Sequence, residues 1–256
     1  MRAKTAVILA AGRGSRLGDI TDDKPKCLVE LAGKSLLAWQ IEALRSAGIE
    51  HIYVVRGYLK ERLSGPGYHV LDNPRWHETN MVESLRCASS ILEQDATIVS
   101  YADIVYRTAY VSRLAALEED IAITYDTLWL ELWNERFADP LADAETFRAR
   151  KGRLEAIGEH TTSLDSIEGQ YMGLLRFTPQ GWSTVVRLLE ELAQITTDTL
   201  DMTALLQRLL SRGTKISTSP VEGGWCEVDN IEDLQIYESK ISKLQMTEPW
   251  RHDWRL

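Results

Sequence analysis

A chain of 256 residues with a formal charge of −9 is long enough to bury one sizeable core, and its acidity argues against nucleic acid or an acidic membrane surface as a partner. Its three cysteines (Cys27, Cys87, Cys226) are widely spaced and form no C-x-x-C, so neither a disulfide framework nor a zinc site is expected. The apolar run near the N-terminus is too short to span a membrane and carries no signal-peptide pattern, which makes a cytoplasmic location the expectation.

Strand-like runs recur at Ala6–Leu9, His51–Val55, Tyr68–Leu71, Thr97–Tyr101, Ile121–Tyr125, Leu174–Phe177 and Lys215–Thr218. Helical patterns fall between many of them. Leu37, Ile41 and Leu44 make a stripe that Gly48 ends. Met81, Leu85, Ala88 and Leu92 make another, with Asn80 and Glu83 spaced as a capping box. Thr178-Pro179 opens a third, and Asp198 a fourth that stops at Gly213. The alternation predicts an α/β fold with a mainly parallel sheet covered on both faces, and ligands then sit beyond the carboxyl ends of the strands. Thr127–Gly152 breaks this rhythm with Trp129, Glu131, Trp133, Asp139, Asp143 and Glu145. It reads as a small lid over the site, within an insertion spanning 126–170. Residues 1–245 are expected to form the domain. Residues 246–256 form a polar-aromatic tail that would fray or dock on a neighbour.

The chemistry concentrates at the front. Leu9-Ala10-Ala11-Gly12-Arg13-Gly14-Ser15-Arg16-Leu17 follows the first strand, and Asp23-Lys24-Pro25-Lys26-Cys27-Leu28 follows it. Glycines let the backbone turn tightly, so its N–H groups can converge on anionic oxygens. Residues 1–26 hold six Lys/Arg against three Asp/Glu, a surplus of +3 that leaves −12 for the remainder. A P-loop is excluded, because no Lys-Ser/Thr follows a glycine at the required spacing. A dinucleotide fingerprint is excluded too, since Gly12, Gly14 and Gly18 are one residue too far apart.

L-A-A-G-x-G-x-R-L with a downstream P-K-x-L resembles the signature of the nucleotidyltransferases that make NDP-sugars and related CDP compounds. The resemblance implies a single Rossmann-like nucleotidyltransferase domain with a mainly parallel mixed sheet flanked by helices. It also implies that the loop, Leu9 to Gly14 with Arg13, wraps the nucleoside triphosphate. Arg16 would then touch the pyrophosphate portion and Lys26 would sit at the reacting phosphate. Such a transfer needs a cation on oxygen ligands, usually Mg²⁺. Asp103 follows the strand Thr97–Tyr101, where a side chain points over the carboxyl edge. Ser100-Tyr101-Ala102-Asp103 resembles the family's metal-binding segment, which makes Asp103 catalytic as well as a ligand and brings Tyr101 to the nucleotide. Glu227 and Asp229 are two apart and would share one strand face. The resemblance assigns a second metal carboxylate to this junction. The local alternative is that Asp229 or Asn230 caps the helix from Ile231, with Glu232 or Asp233 completing a capping box.

Gly57-Tyr58 and the run Trp76 to Leu85 resemble the branch that uses CTP with phosphocholine or phosphonates. Gly57, Asn80 and Ser84 would then lie near the base, although Asn80 is equally suited to capping. Trp129, Trp133 and Tyr171, with Glu131, Asp143 or Glu145, would suit an amine-bearing acceptor through cation–π and ion-pair contacts. The two tryptophans, i and i+4, fit core packing as well. The expected activity is transfer of CMP from CTP to a small phosphate or phosphonate monoester, with release of pyrophosphate, for surface polysaccharide or lipid decoration. The expected partners are CTP and a small anionic acceptor, without nucleic acid or membrane, and a homodimer stays open. A sugar-1-phosphate enzyme using UTP or dTTP and a catalytically silent nucleotide-binding subunit remain the rivals.

Overall fold

The computed structural model describes residues 2–243 and 249–256. A nine-stranded sheet organises them, in the spatial order His69–Asp72, His51–Arg56, Thr5–Ala10, Thr97–Tyr101, Gln170–Phe177, Ile121–Asp126, Ser217–Val221, Arg153–His160, Glu145–Arg150. Thr5–Ala10 pairs in parallel with both His51–Arg56 and Thr97–Tyr101. Gln170–Phe177 runs against both of its neighbours, which makes the mainly parallel sheet a mixed one. All seven expected strands are present, with ends shifted by up to four residues.

Both faces of this Rossmann-like sheet are covered, which is why its strands read as near-continuous apolar runs. Ala6, Ile8, Ile52, Val54, Ile98 and Leu174 pack on one side with Leu36, Leu44, Val111 and Leu114. Val7, Val55, Val99 and Leu175 alternate to the other side and meet Leu85, Trp182, Val185 and Leu205. The alternation follows the two-residue period of a strand. The parallel strands therefore end on one edge, where Ala11, Gly57, Asn73, Asp103 and Asp126 gather.

Four local expectations change. The Met81–Leu92 pattern divides into helices Met81–Arg86 and Ser89–Leu92. Asn80 caps the first, but Glu83 pairs with Arg86, so no capping box closes there. Asp198 does not open the fourth helix. It sits in the short helix Gln194–Thr199 and pairs with Arg75 at 2.6 Å, while Asp201 caps Met202–Ser211 by accepting from the Ala204 amide. The Thr127–Gly152 region is built into the body of the fold and is not a lid laid over it. It supplies the helix Trp129–Arg136, and the strand Glu145–Arg150, which joins the edge of the main sheet beside Arg153–His160.

Within the expected tail, residues 249–256 dock on the body of this same chain. Trp254 is buried edge-on against Trp39, and His252 and Asp253 are buried too. The Asp253 carbonyl accepts from Arg107, and the Arg251 carbonyl from the Gly224 amide. The expected boundary at 245/246 lies outside the described residues. Among the described residues, no helix is long and apolar enough to cross a membrane.

Candidate active site

The first strand delivers its chain directly into a cleft at the carboxyl edge. The cleft is lined by Leu9, Ala10, Ala11, Gly12 and Gly14 of the loop, by Lys26, Cys27, Ala102 and Asp103, and by Trp76, Thr79, Asn80, Met81, Ser84 and Tyr101. A Cβ at Gly12 would meet nothing within 4 Å, so its backbone faces open space where a ligand can approach. Gly14 has φ +73, and a Cβ there would stand 2.7 Å from the Cβ of Lys26. A side chain at this position would push Lys26 aside as well as strain the backbone.

Lys26 joins two acids that arrive much later in the chain. Its Nζ donates to Asp103 Oδ2 at 2.8 Å and to Asp229 Oδ1 at 2.9 Å. Burial works against the ammonium, but Asp103 and Asp229 outweigh it and hold Lys26 charged beyond its ordinary range. Arg16, mostly exposed, pairs with Asp229 Oδ2 from the loop side. Burial disfavours the Asp229 carboxylate, yet Lys26 and Arg16 overcome it and keep its pKa below the usual value.

The cap forms at Asn230, one of the two residues the local alternative offered, and not at Asp229. Asn230 Oδ1 accepts from the Asp233 amide, and Asp233 Oδ2 accepts from the Asn230 and Asp229 amides. Asn230 and Asp233 thus form the capping box of the helix Ile231–Lys243. Asp229 is left free to face Lys26.

Asp103 offers more than one bond. Its Oδ1 is buried and has no hydrogen-bond partner among the described residues. An orphaned carboxylate oxygen beside a second carboxylate is a hard, anionic donor set of the kind Mg²⁺ takes. The residues present therefore fit a divalent cation held by Asp103 and Asp229. Glu227 is placed differently from them: its Oε2 lies 3.2 Å from Arg136 Nη1. Burial pushes its carboxyl up to about 7, Arg136 works against that rise, and Asp103 and Asp229 reinforce it.

Of the remaining expected contacts, Arg13 and Gly57 do not line the cleft. Arg13 pairs with Asp22 at 2.7 Å and lies over the Tyr58 ring. Gly57 works from behind: a Cβ there would collide with the Trp76 side chain at 2.5 Å and the Ala11 carbonyl at 2.7 Å. Only glycine lets Trp76 close against the loop. Asn80 and Ser84 do line the cleft. Asn80 accepts from the Met81 amide, and Ser84 Oγ accepts from buried Asn73. Cys27 lines the cleft too, but burial pushes its thiol up to about 12, so it is no nucleophile.

Of the two alternatives open for the tryptophan pair, packing is the one observed. Trp129 and Trp133 are both buried, edge to face with each other, and Glu131 is taken by Arg251. Asp143 accepts from Trp133 Nε1. Residues that line the cleft but were not singled out in sequence include Trp76, Thr79 and Met81. Their signal was present, since they occupy the same run as Asn80 and Ser84, but only the fold shows which side chains turn inward.

Residues 6–164 match the MobA-like NTP transferase domain. Over 251 residues the chain is 38% identical to a CTP:phosphoglutamine cytidylyltransferase of Campylobacter jejuni, covering 92% of this chain and 99% of that one. Over 111 residues it is 36% identical to a 2-aminoethylphosphonate cytidylyltransferase of Lancefieldella rimae, covering 41% of this chain and 45% of that one. The solved structure of the inositol-1-phosphate CTP transferase from T. maritima matches with a TM-score of 0.71, over 98% of this chain and 99% of that one, at 20% identity. This last likeness is one of fold. Matches of this extent, on a chain whose glycine loop, Lys26 and Asp103 share one cleft and whose Asp229 bonds to that lysine, identify it as a member of the MobA-like NTP transferase family and a nucleotidyltransferase.

Proposed function

We propose that the enzyme transfers CMP from CTP to a small phosphate or phosphonate monoester, with phosphorylated glutamine and aminoalkylphosphonates as the leading acceptor classes. The choice of CTP is supported by the relatives that carry cytidylyltransferase names, one of them matching nearly along its whole length. The observation that carries the reading is that Lys26, which lines the cleft together with the glycine loop, meets both Asp103 and Asp229.

An acceptor oxygen attacks the α-phosphorus, the bond to the β-phosphate oxygen breaks, and pyrophosphate leaves with the bonding pair. Both reactants are anionic, so the protein's work is positioning and charge compensation. The loop amides around Gly12 hold the triphosphate. Arg16, on the exposed rim, compensates the β- and γ-phosphates as charge builds on the leaving group. Lys26, kept protonated by its two carboxylates, compensates charge at the α-phosphate. Asp103 and Asp229 are the residues that would hold Mg²⁺. When bound, the ion supplies positive charge to the phosphate oxygens and helps to align them. Asn80 and Ser84 offer polar groups to the cytosine edge, between Trp76, Met81 and Tyr101.

Pyrophosphate release across the four NTPs and dTTP, with Mg²⁺ and a panel of phosphocholine, 2-aminoethylphosphonate, phosphorylated glutamine and hexose 1-phosphates, tests this reading. CTP with an amine-bearing monoester is expected to exceed every other pair at least tenfold. Turnover confined to UTP or dTTP with a hexose 1-phosphate would refute it, and CTP binding without turnover on any acceptor would favour a silent subunit.

A further inference from the structure

Arg136 lies in the inserted helix Trp129–Arg136, outside the cleft, and is almost wholly buried. Its guanidinium forks onto Asp233, with Nε 2.9 Å from Oδ1 and Nη2 3.1 Å from Oδ2, while Nη1 reaches Glu227. The rings of Trp133 and Phe137 lie about it at 5.2 and 5.0 Å. Asp233 is fully buried, and the oxygen that meets Nη2 is the same one that accepts the backbone N–H of Asp229 at 2.8 Å. A continuous set of bonds thus runs from the insertion, through Arg136 and Asp233, to the main chain of the residue whose carboxylate faces Lys26.

We propose that Arg136 is a positioning residue for Asp229, acting through Asp233; the proposal rests on the reading of Asp229 as a cation ligand. The guanidinium fork fixes both oxygens of Asp233 in one plane, and that plane sets where the Asp229 amide is held. Lysine is a poor substitute, because a single ammonium cannot fix two oxygens at once. Without any cation at 136, Asp233 becomes a buried, uncompensated carboxylate. The oxygen that receives the Asp229 amide is then no longer held in place, and the Asp229 main chain loses its fixed acceptor. The insertion therefore contributes the orientation of a cation ligand to the site, in place of the lid expected from sequence.

A buried ion pair that only stabilised the fold would make a different prediction, and the two are separable. Arg136→Met combined with Asp233→Leu removes the buried pair together and leaves Glu227, whose side chain is 28% exposed, as the only ion to lose a partner, so folding can be retained. The same change deprives the Asp229 amide of its acceptor. Mn²⁺ binding is read directly by electron paramagnetic resonance of the free ion, in the presence of a non-hydrolysable CTP analogue, alongside thermal melting and the metal dependence of turnover. The double variant is expected to bind Mn²⁺ at least tenfold more weakly, with the apparent metal KM rising more than kcat at saturating metal falls. Arg136→Lys, which keeps the charge and loses the fork, is expected to weaken Mn²⁺ three- to tenfold, and it decides the matter if the double variant does not fold. Unchanged Mn²⁺ affinity in these variants, with Asp229→Ala weakening it, would overturn the proposal alone. Unchanged affinity in Asp229→Ala would overturn the reading of Asp229, and the proposal with it.

Discussion

Asp103 and Asp126 both stand at the carboxyl ends of strands that run the same way in one sheet, yet their surroundings differ completely. Asp126 is fully buried and saturated. Its Oδ1 accepts from the Gly223 and Leu128 amides, each at 2.9 Å, and its Oδ2 meets Trp225 Nε1 at 2.9 Å and His252 Nε2 at 3.2 Å. Asp103 has Lys26 on one oxygen and no hydrogen-bond partner among the described residues on the other. A buried polar group left half satisfied is costly, so it persists where a ligand completes it. The comparison separates a carboxylate that ties the chain together from one with an oxygen left over, which the proposed function assigns to a cation. It also explains the tail: His252 is the last donor that Asp126 receives, so the tail belongs to the structural aspartate and not to the cleft.

The comparison can be broken or sharpened in four ways. Lys26→Met should lower kcat by roughly 10²- to 10³-fold, the range for losing one charge-compensating donor. Its melting temperature should stay near that of the parent, because both carboxylates it leaves behind still reach solvent. Comparable activity in a folded variant would break the assignment. Asp126→Ala should do the opposite. It strands four buried donors and should reduce unfolding free energy by about 3 kcal/mol in urea titrations, while kcat of the folded enzyme changes less than threefold.

Acidification supplies the third comparison. Burial, with Arg107, Arg251 and Lys240 nearby, lowers the His252 pKa from 6.5 to about 4. The folded imidazole stays neutral where the unfolded one takes up a proton, so its contribution is complete above pH 6.5 and is lost as pH falls towards 4. Between pH 7 and 5 the loss is about 2 kcal/mol. His252→Gln should flatten this part of the stability profile, and an unchanged slope would remove His252 as its source. The smallest effect concerns Asn80. As the cap of Met81–Arg86, its replacement by Ala should cost about 1 kcal/mol of stability. A rise in the CTP KM beyond that expected from stability would add the base contact to the cap.

Much of this was legible because it is local. Apolar runs marked the strands, and Gly12 and Asp103 follow strand ends that the topology gathers on one edge, while Gly14 and Lys26 stood in the motif itself. Asn230 and Asp233 could be read as a capping box from spacing alone. What escaped depended on partners far along the chain. Asp198 looked like a helix cap until Arg75 claimed it, and the cap passed to Asp201. Trp129 and Trp133 carry an i, i+4 spacing that suits a ligand face or a core equally, and only packing decides between them. Arg136 gave no signal, because its importance lies in Asp233, nearly a hundred residues away. The tail was unreadable for the same reason, since its anchor, Asp126, belongs to the middle of the sheet.

The most direct test of the central claim is the coupling between CTP and a divalent cation, measured as the Kd of CTP by calorimetry with and without Mn²⁺, in the parent enzyme and in Asp103→Asn. The account predicts that Mn²⁺ tightens CTP binding at least tenfold in the parent and hardly at all in the variant. Equal tightening in both proteins, or none in the parent, would contradict it.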